Sequence, residues 1–290
     1  MSNRMLRINM RNTNSTAIFL ILLFILLPLS GCLSDDSTSR TETSEDGTER
    51  CWAILQTITT MEHESEMMRN FHYTMTNLTY DDSCNMIYSS WWGGDGYGGY
   101  TKISYNEAGE PVLIESASGE WDNETATLTE DLWIEFEEYH YENGLLMQLR
   151  SYYEGEVGEE FWNYTYDADG REIVEETEYE TKESFYNSDG LLSYTKETGY
   201  GNSTTFINYT YDDVGQLIQM TDTYGYNGNW YEPTYTNYTY ADGLLATSTY
   251  DDNPTTYIYN EKGDLVTQTY YWGENYSSII THSWGYVETA

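Results

Sequence analysis

The sequence predicts an all-β chain, an antiparallel meander of repeated hairpins that forms a curved, elongated sheet. Three observations predict it. The 290 residues include 31 Tyr but only 4 Pro. A Tyr followed three or four residues later by Gly, and then by apolar residues, recurs along most of the chain. The strings Asn163-Tyr164-Thr165-Tyr166, Asn208-Tyr209-Thr210-Tyr211 and Asn237-Tyr238-Thr239-Tyr240 repeat in one phase. A two-residue strand period puts both Tyr on one face and Asn plus Thr on the other, and Tyr and Thr favour strands.

The elements follow in chain order. Arg4, Arg7 and Arg11 precede the apolar run from Ile18 to Leu29, with no acid among residues 1–31. A basic start before an apolar core too short for a span of about 20 residues reads as a secretory signal over 1–31. Leu29-Ser30-Gly31-Cys32 follows at once. These four residues resemble a lipobox, the processing site of prokaryotic lipoprotein precursors. The resemblance implies that Cys32 becomes the first mature residue and carries lipid on its sulfur. Residues 33–50 are Ser, Thr, Asp and Glu with almost no apolar content, so 32–50 is expected to be a disordered acidic spacer.

Residues 51–100 read as an N-terminal cap and a first degenerate repeat. Ile54, Ile58, Met61, Met68 and Phe71 share a helical face, while Thr57, Thr59 and Thr60 favour strand. A short capping helix over about 52–68 is expected, covering the edge of the first hairpin. Tyr80-Asp-Asp-Ser-Cys84 has Cys where the repeat has Gly. With Cys32 assigned to lipid, Cys51 and Cys84 form an even pair. An oxidising exterior favours a disulfide between them; a reactive thiol finds no His or Lys beside either one.

Residues 101–290 carry the array. Seven units end on Gly109, Gly144, Gly170, Gly190, Gly215, Gly243 and Gly263. Asp or Asn opens each turn by accepting from the backbone ahead, and Gly closes it at positive φ. The strings YTYDADGRE and NYTYDDVGQL resemble the YD repeat of the RHS family, over roughly residues 100–270. That resemblance implies hairpins laid side by side in a β-sheet. RHS-type sheets wrap into a shell around a toxin; these units are too few for such a shell, and no separate C-terminal toxin segment is evident.

Charge excludes some partners. The chain is −37, and loss of residues 1–31 leaves 9 basic against 49 acidic residues, or −40. Such a surface repels nucleic acid and anionic headgroups, so no nucleic-acid partner is expected. The imbalance suits a medium whose salt screens self-repulsion.

Candidate sites are few. Trp91, Trp92, Tyr97 and Tyr100 flank a Gly-rich stretch, and exposed rings there would contact a sugar or a protein; alternatively, the two Trp straddle a strand with one in the core. Asn77, Asn123, Asn163, Asn202, Asn208, Asn237 and Asn275 each begin Asn-x-Ser/Thr. Asn77, Asn163, Asn208 and Asn237 share one repeat phase, which also suits polar strand positions. Asp167-Ala-Asp169-Gly170 resembles the opening of a calcium loop, but a hairpin turn explains it. His63, His72, His140 and His282 lack metal-site spacing, and no catalytic residue, cofactor or metal is assigned. The expected protein is exported and lipid-anchored, on the extracellular face of the membrane or in the periplasm of a diderm host. It is read as a non-enzymatic binding or adhesion module for polysaccharide or an envelope protein. An envelope spacer without ligand is the alternative, and an extracellular polymer hydrolase the remote one. A transmembrane barrel is disfavoured, because Asn, Thr and Glu fill one strand face.

Overall fold

The computed structural model describes residues 41–43, 49–63, 72–93, 96–122, 125, 127–129, 133–155, 158–199, 201–271 and 276–288. They hold no helix. The strands in order are β1 (Thr41–Thr43), β2 (Glu49–His63), β3 (His72–Tyr80), β4 (Met86–Gly93), β5 (Tyr97–Tyr105), β6 (Pro111–Asp122), β7 (Thr127–Leu128), β8 (Trp133–Glu142), β9 (Leu145–Tyr153) and β10 (Glu159–Tyr166). They continue as β11 (Glu172–Glu176), β12 (Thr181–Tyr186), β13 (Leu192–Gly199), β14 (Ser203–Tyr211), β15 (Leu217–Tyr226), β16 (Asn229–Trp230), β17 (Thr234–Ala241), β18 (Leu244–Tyr250), β19 (Asn253–Tyr259), β20 (Leu265–Tyr271) and β21 (Tyr276–Glu288).

Every pairing is antiparallel. The short β7 and β16 extend β6 and β15, which also pair with β8 and β17. At the end of the meander β21 pairs β2, from Arg50↔Glu288 to His63↔Tyr276. On its other edge β2 pairs β3, from Thr57↔Met75 to Thr60↔His72. The ladder returns to its start, and β2–β6, β8–β15 and β17–β21 form a closed barrel of eighteen strands.

Two expectations need correction. The helix over 52–68 is strand at 52–63; residues 64–68 lie outside the described residues. Alternation decides it: Thr57 and Thr59 are buried, while Ile58 and Thr60 face the other way in a two-residue period. The curved antiparallel meander of hairpins is as expected, and the sheet also closes on itself. Eight hairpins are too few to spiral into a shell, but one N-terminal strand bridging both edges closes them sideways. The spacer expected over 32–50 is paired at its end, where Thr41–Thr43 runs against Glu49–Cys51. The signal peptide and Cys32 lie outside the described residues.

The repeats form turns of two kinds. In the longer one, Asp167 Oδ1 accepts from the backbone N of Asp169 and of Arg171, both at 2.9 Å. Gly170, at φ +78°, donates its N–H to Asp167 O at 3.1 Å, and the register shifts by one residue at Thr165/Tyr166. This is the turn-plus-bulge hairpin. Asn106, Asn187, Asp212 and Asn260 repeat it. Cys84 occupies the glycine position of the first unit at φ +66°. The units one residue shorter differ: Asn143-Gly144 and Asp242-Gly243 have positive φ at both residues, a two-residue type I′ turn.

The Tyr before six of the eight turns has a second task. Its hydroxyl reaches back to a carbonyl at the start of the strand after the preceding turn. Tyr105 donates to Met86 O at 2.9 Å, Tyr166 to Leu146 O at 2.7 Å, and Tyr186 to Glu172 O at 2.8 Å. Tyr211 donates to Leu192 O and Tyr240 to Leu217 O, both at 2.9 Å. At the seam the indole of Trp284 substitutes, donating to Leu265 O at 2.8 Å, and Tyr80 donates to Ile54 O at 2.9 Å. The bonds form a hoop around one end of the barrel. Burial raises Tyr80 and Tyr105 to a pKa of about 12, so the hydroxyls stay protonated donors at neutral pH.

The concave face is largely polar. Thr57, Thr59, Ser89, Thr101, Ser151, Ser184, Thr195 and Gln268 are buried there, with Ser89 opposite Thr101 and Ser184 opposite Thr195. The buried apolar cluster is small: Ala53, Tyr80, Met86, Ile103 and Ile114, at the turn end of the first strands.

Candidate ligand-binding rim

A meander of hairpins gives the barrel two unlike ends. All eight Tyr-led turns lie at one end. There too the chain enters at Glu49 and leaves at Glu288, because β2 runs away from that end and β21 runs back to it. The inter-repeat connections form the opposite rim.

Exposed aromatic rings concentrate on that opposite rim. Thirteen are exposed among the described residues: Tyr97, Trp133, Tyr153, Phe161, Tyr179, Tyr224, Tyr226, Trp230, Tyr231, Tyr235, Tyr250, Tyr271 and Tyr286. All but Tyr286 sit in, or within three residues of, an inter-repeat connection. Several hold one another in place. Trp133 meets Tyr153 edge-on at 6.3 Å, and Tyr224 stacks on Tyr231 at 5.5 Å. Trp230 packs against Phe206 at 5.7 Å and covers Gly225, where a Cβ would come within 2.7 Å of the indole. Exposed rings fixed in this way lose little entropy on binding.

The Gly-rich aromatic cluster forms the β4–β5 hairpin. Trp91 is buried, its indole over Gly99, where a Cβ would lie 2.5 Å from Ala117 O and 2.7 Å from Trp91 Nε1. Trp92 is half-buried on the outer face. Tyr100 is half-buried, stacks on Tyr88 and donates to Glu115 at 2.6 Å. Tyr97 is exposed on the rim.

Charge divides between the faces. Outer-wall bases pair across strands: Lys102 with Glu115 at 2.8 Å, Arg150 with Glu138 at 2.8 Å and Glu159 at 2.7 Å, and Lys196 with Glu183 at 2.7 Å. The Lys102 ammonium beside it holds Glu115 below the usual carboxylate range, and Arg150 does the same for Glu159. On the concave wall the Lys182 ammonium lies 3.1 Å from Glu175 and 3.7 Å from Glu172, Glu197 pairs with Lys182 across β12 and β13, and Glu137 and Asp222 sit on other strands of the same face. Burial raises the pKa of Glu137, Glu197 and Asp222. The interior therefore disfavours further negative charge.

The remaining candidates are placed as follows. Asn163, Asn202, Asn208 and Asn237 are exposed; the Asn77 side chain, Asn123 and Asn275 lie outside the described residues. Gln148 donates to Asn163 Oδ1 and Gln219 to Asn237 Oδ1, each at 2.8 Å, so these positions serve cross-strand amide pairs. Asp167 is occupied by its own turn and by Arg171, whose guanidinium lies at 2.7 Å. Cys84 is disulfide-bonded and packs against the cluster containing Ala53. The Cys51 side chain lies outside the described residues. Gly109, Gly144, Gly170, Gly190, Gly215, Gly243 and Gly263 adopt φ from +78° to +86°.

Sequence reasoning missed the rim. A signal was present: aromatics cluster midway between turn glycines, as in Tyr152-Tyr153, Tyr224-Gly-Tyr226 and Trp230-Tyr231. Only alternate hairpin connections emerging at one end turn that periodicity into a surface.

No family model matches the chain, and no curated protein matches it. Among solved structures, a chain of the TcdB2-TccC3-Cdc42 crystal structure is 16% identical over 82% of this chain, with a TM-score of 0.34. The present chain spans 16% of that chain's length. A porin-like protein from Bacteroides uniformis is 11% identical over 80% of this chain and 98% of its own, with a TM-score of 0.45.

Proposed function

We propose that this protein is a non-enzymatic binding module of the cell surface, tethered by lipid at Cys32, that captures neutral or cationic polysaccharide on its aromatic rim. One observation carries the reading: twelve exposed aromatic rings gather on the rim opposite the point where the chain joins the barrel. A tether at the turn end leaves that rim free to meet material outside the cell. Flat rings stack on the apolar faces of sugars. The net charge of −37 selects against anionic polymers.

Two measurements test it. A glycan array and pull-down with insoluble polysaccharides should show binding that falls in Trp133→Ala and Tyr179→Ala, with the fold unchanged by circular dichroism. Retention by no glycan would leave the spacer reading in its place. Cys32→Ser should move the protein from the membrane fraction to the medium or periplasm; unchanged membrane retention would refute the lipid tether.

A further inference from the structure

A polar groove indents the outer wall just below the rim. It is lined by Gln219 on β15, Tyr235 and Asn237 on β17, Thr249 at the end of β18, and Asp251 and Asp252 in the next turn. Its volume of 270 Å³ is slightly below the usual range for small-molecule sites and suits one sugar ring rather than an extended chain. We propose that this groove is the subsite that selects an amino sugar carrying a free ammonium group. The inference rests on the rim reading above and names the sugar class it would take.

The register builds the floor. Gln219, Asn237 and Thr249 lie directly opposite one another across three strands, so their side chains point outward in one row. Gln219 Nε2 donates to Asn237 Oδ1 at 2.8 Å. That bond sets both amides: Asn237 presents its NH₂ as a donor and Gln219 its carbonyl as an acceptor. Sugar hydroxyls satisfy both. The exposed ring of Tyr235 stands beside this row as a flat wall.

The far side is anionic. Asp251 and Asp252 form a tight turn at φ +45° and +65°, and Asp251 N–H donates to Tyr235 O at 3.4 Å, tying the turn to the aromatic wall. With Pro233 and Thr234 completing it, the lining offers two carboxylates, two amides, two threonine hydroxyls, one aromatic ring and no base. A neutral sugar leaves the carboxylates only partly satisfied as water withdraws. An ammonium on the ring supplies three donors and the opposite charge, the pairing that makes the strongest hydrogen bonds.

The test is titration calorimetry of the full chain in detergent. The probes are three oligosaccharides of equal length: β-1,4-linked glucosamine, its N-acetylated counterpart and β-1,4-linked glucose. The glucosamine oligomer should bind about tenfold more tightly than the other two, a difference that shrinks as salt is added. Asp252→Asn, which keeps a residue tolerant of positive φ, should abolish that preference and leave the glucose oligomer unchanged. Tyr235→Ala should weaken all three. Equal affinities for charged and neutral oligomers, or an Asp252→Asn variant that keeps its preference, overturns the amino-sugar assignment. Weakening by Trp133→Ala and Tyr179→Ala but not by Tyr235→Ala overturns the groove and leaves the rim standing. Failure of every oligomer to bind overturns this inference, and the glycan array then decides whether the rim reading stands. An intact mass showing a glycan bonded to Asn237 also overturns it, because the groove would already be filled.

Discussion

Replacing the hoop tyrosines by phenylalanine isolates one bond type. The change keeps each ring and its packing and removes only the hydroxyl that reaches a carbonyl 2.7–2.9 Å away at Tyr105, Tyr166, Tyr186, Tyr211 and Tyr240. A hydrogen bond of this kind contributes about 1 kcal/mol net. In a domain of roughly 250 residues, 1 kcal/mol shifts the melting temperature by about 2–4 °C. These bonds lie at least two strands, or about 10 Å, apart, far enough for their effects to add. A single Tyr→Phe change should lower the midpoint by about 2 °C and all five together by about 10 °C or more. Differential scanning calorimetry measures the loss, with Tyr250→Phe on the opposite rim as the control that should not shift. A five-fold variant melting within about 2 °C of the parent would refute the claim that the hoop stabilises the barrel.

Three further outcomes follow from the geometry. Gly215→Val places a β-branched residue at φ +86° and should cost about 2–3 kcal/mol in chemical denaturation, with Val214→Ala beside it close to neutral. Burial holds His282 below its ordinary pKa of 6.5 at the seam, where its Nδ1 lies 2.9 Å from Thr57 Oγ1. The unfolded chain takes up that proton first, so stability present above pH 6.5 is lost as pH falls toward the folded value. Acidification stabilises through Glu137, Glu197 and Asp222, whose raised pKa values have the opposite sign. The measurement is therefore the difference from His282→Gln: between pH 7 and 5 the parent should lose stability relative to that variant, whatever the sign of the change common to both. The disulfide at Cys84 is proposed to join Cys51, which shares a strand face with Ala53 in the cluster that Cys84 touches. Closing a loop of about 33 residues stabilises by roughly 3–4 kcal/mol. Non-reducing peptide mapping should find the pair, and Cys51→Ser should lower the melting point by several degrees.

Local chemistry was legible in the chain. The Asx-to-Gly spacing implied reversals because those residues satisfy their own backbone and tolerate positive φ whatever surrounds them. The Asn-Tyr-Thr-Tyr strings implied faces because pleating alternates side chains regardless of neighbours. At Cys51–His63 the same reasoning met two overlapping periods. The helical one lost because a tertiary event, pairing with β21 and β3, decided it.

The sequence alone determined the strand-and-turn grammar, the acidic surface and the signal-like start, since each depends on residues adjacent in the chain. Tertiary structure decided closure, the polar interior, the hoop and the aromatic rim. Those depend on which strand meets the first one, and on every second connection emerging at the same end, and both are set by contacts between residues more than 200 positions apart.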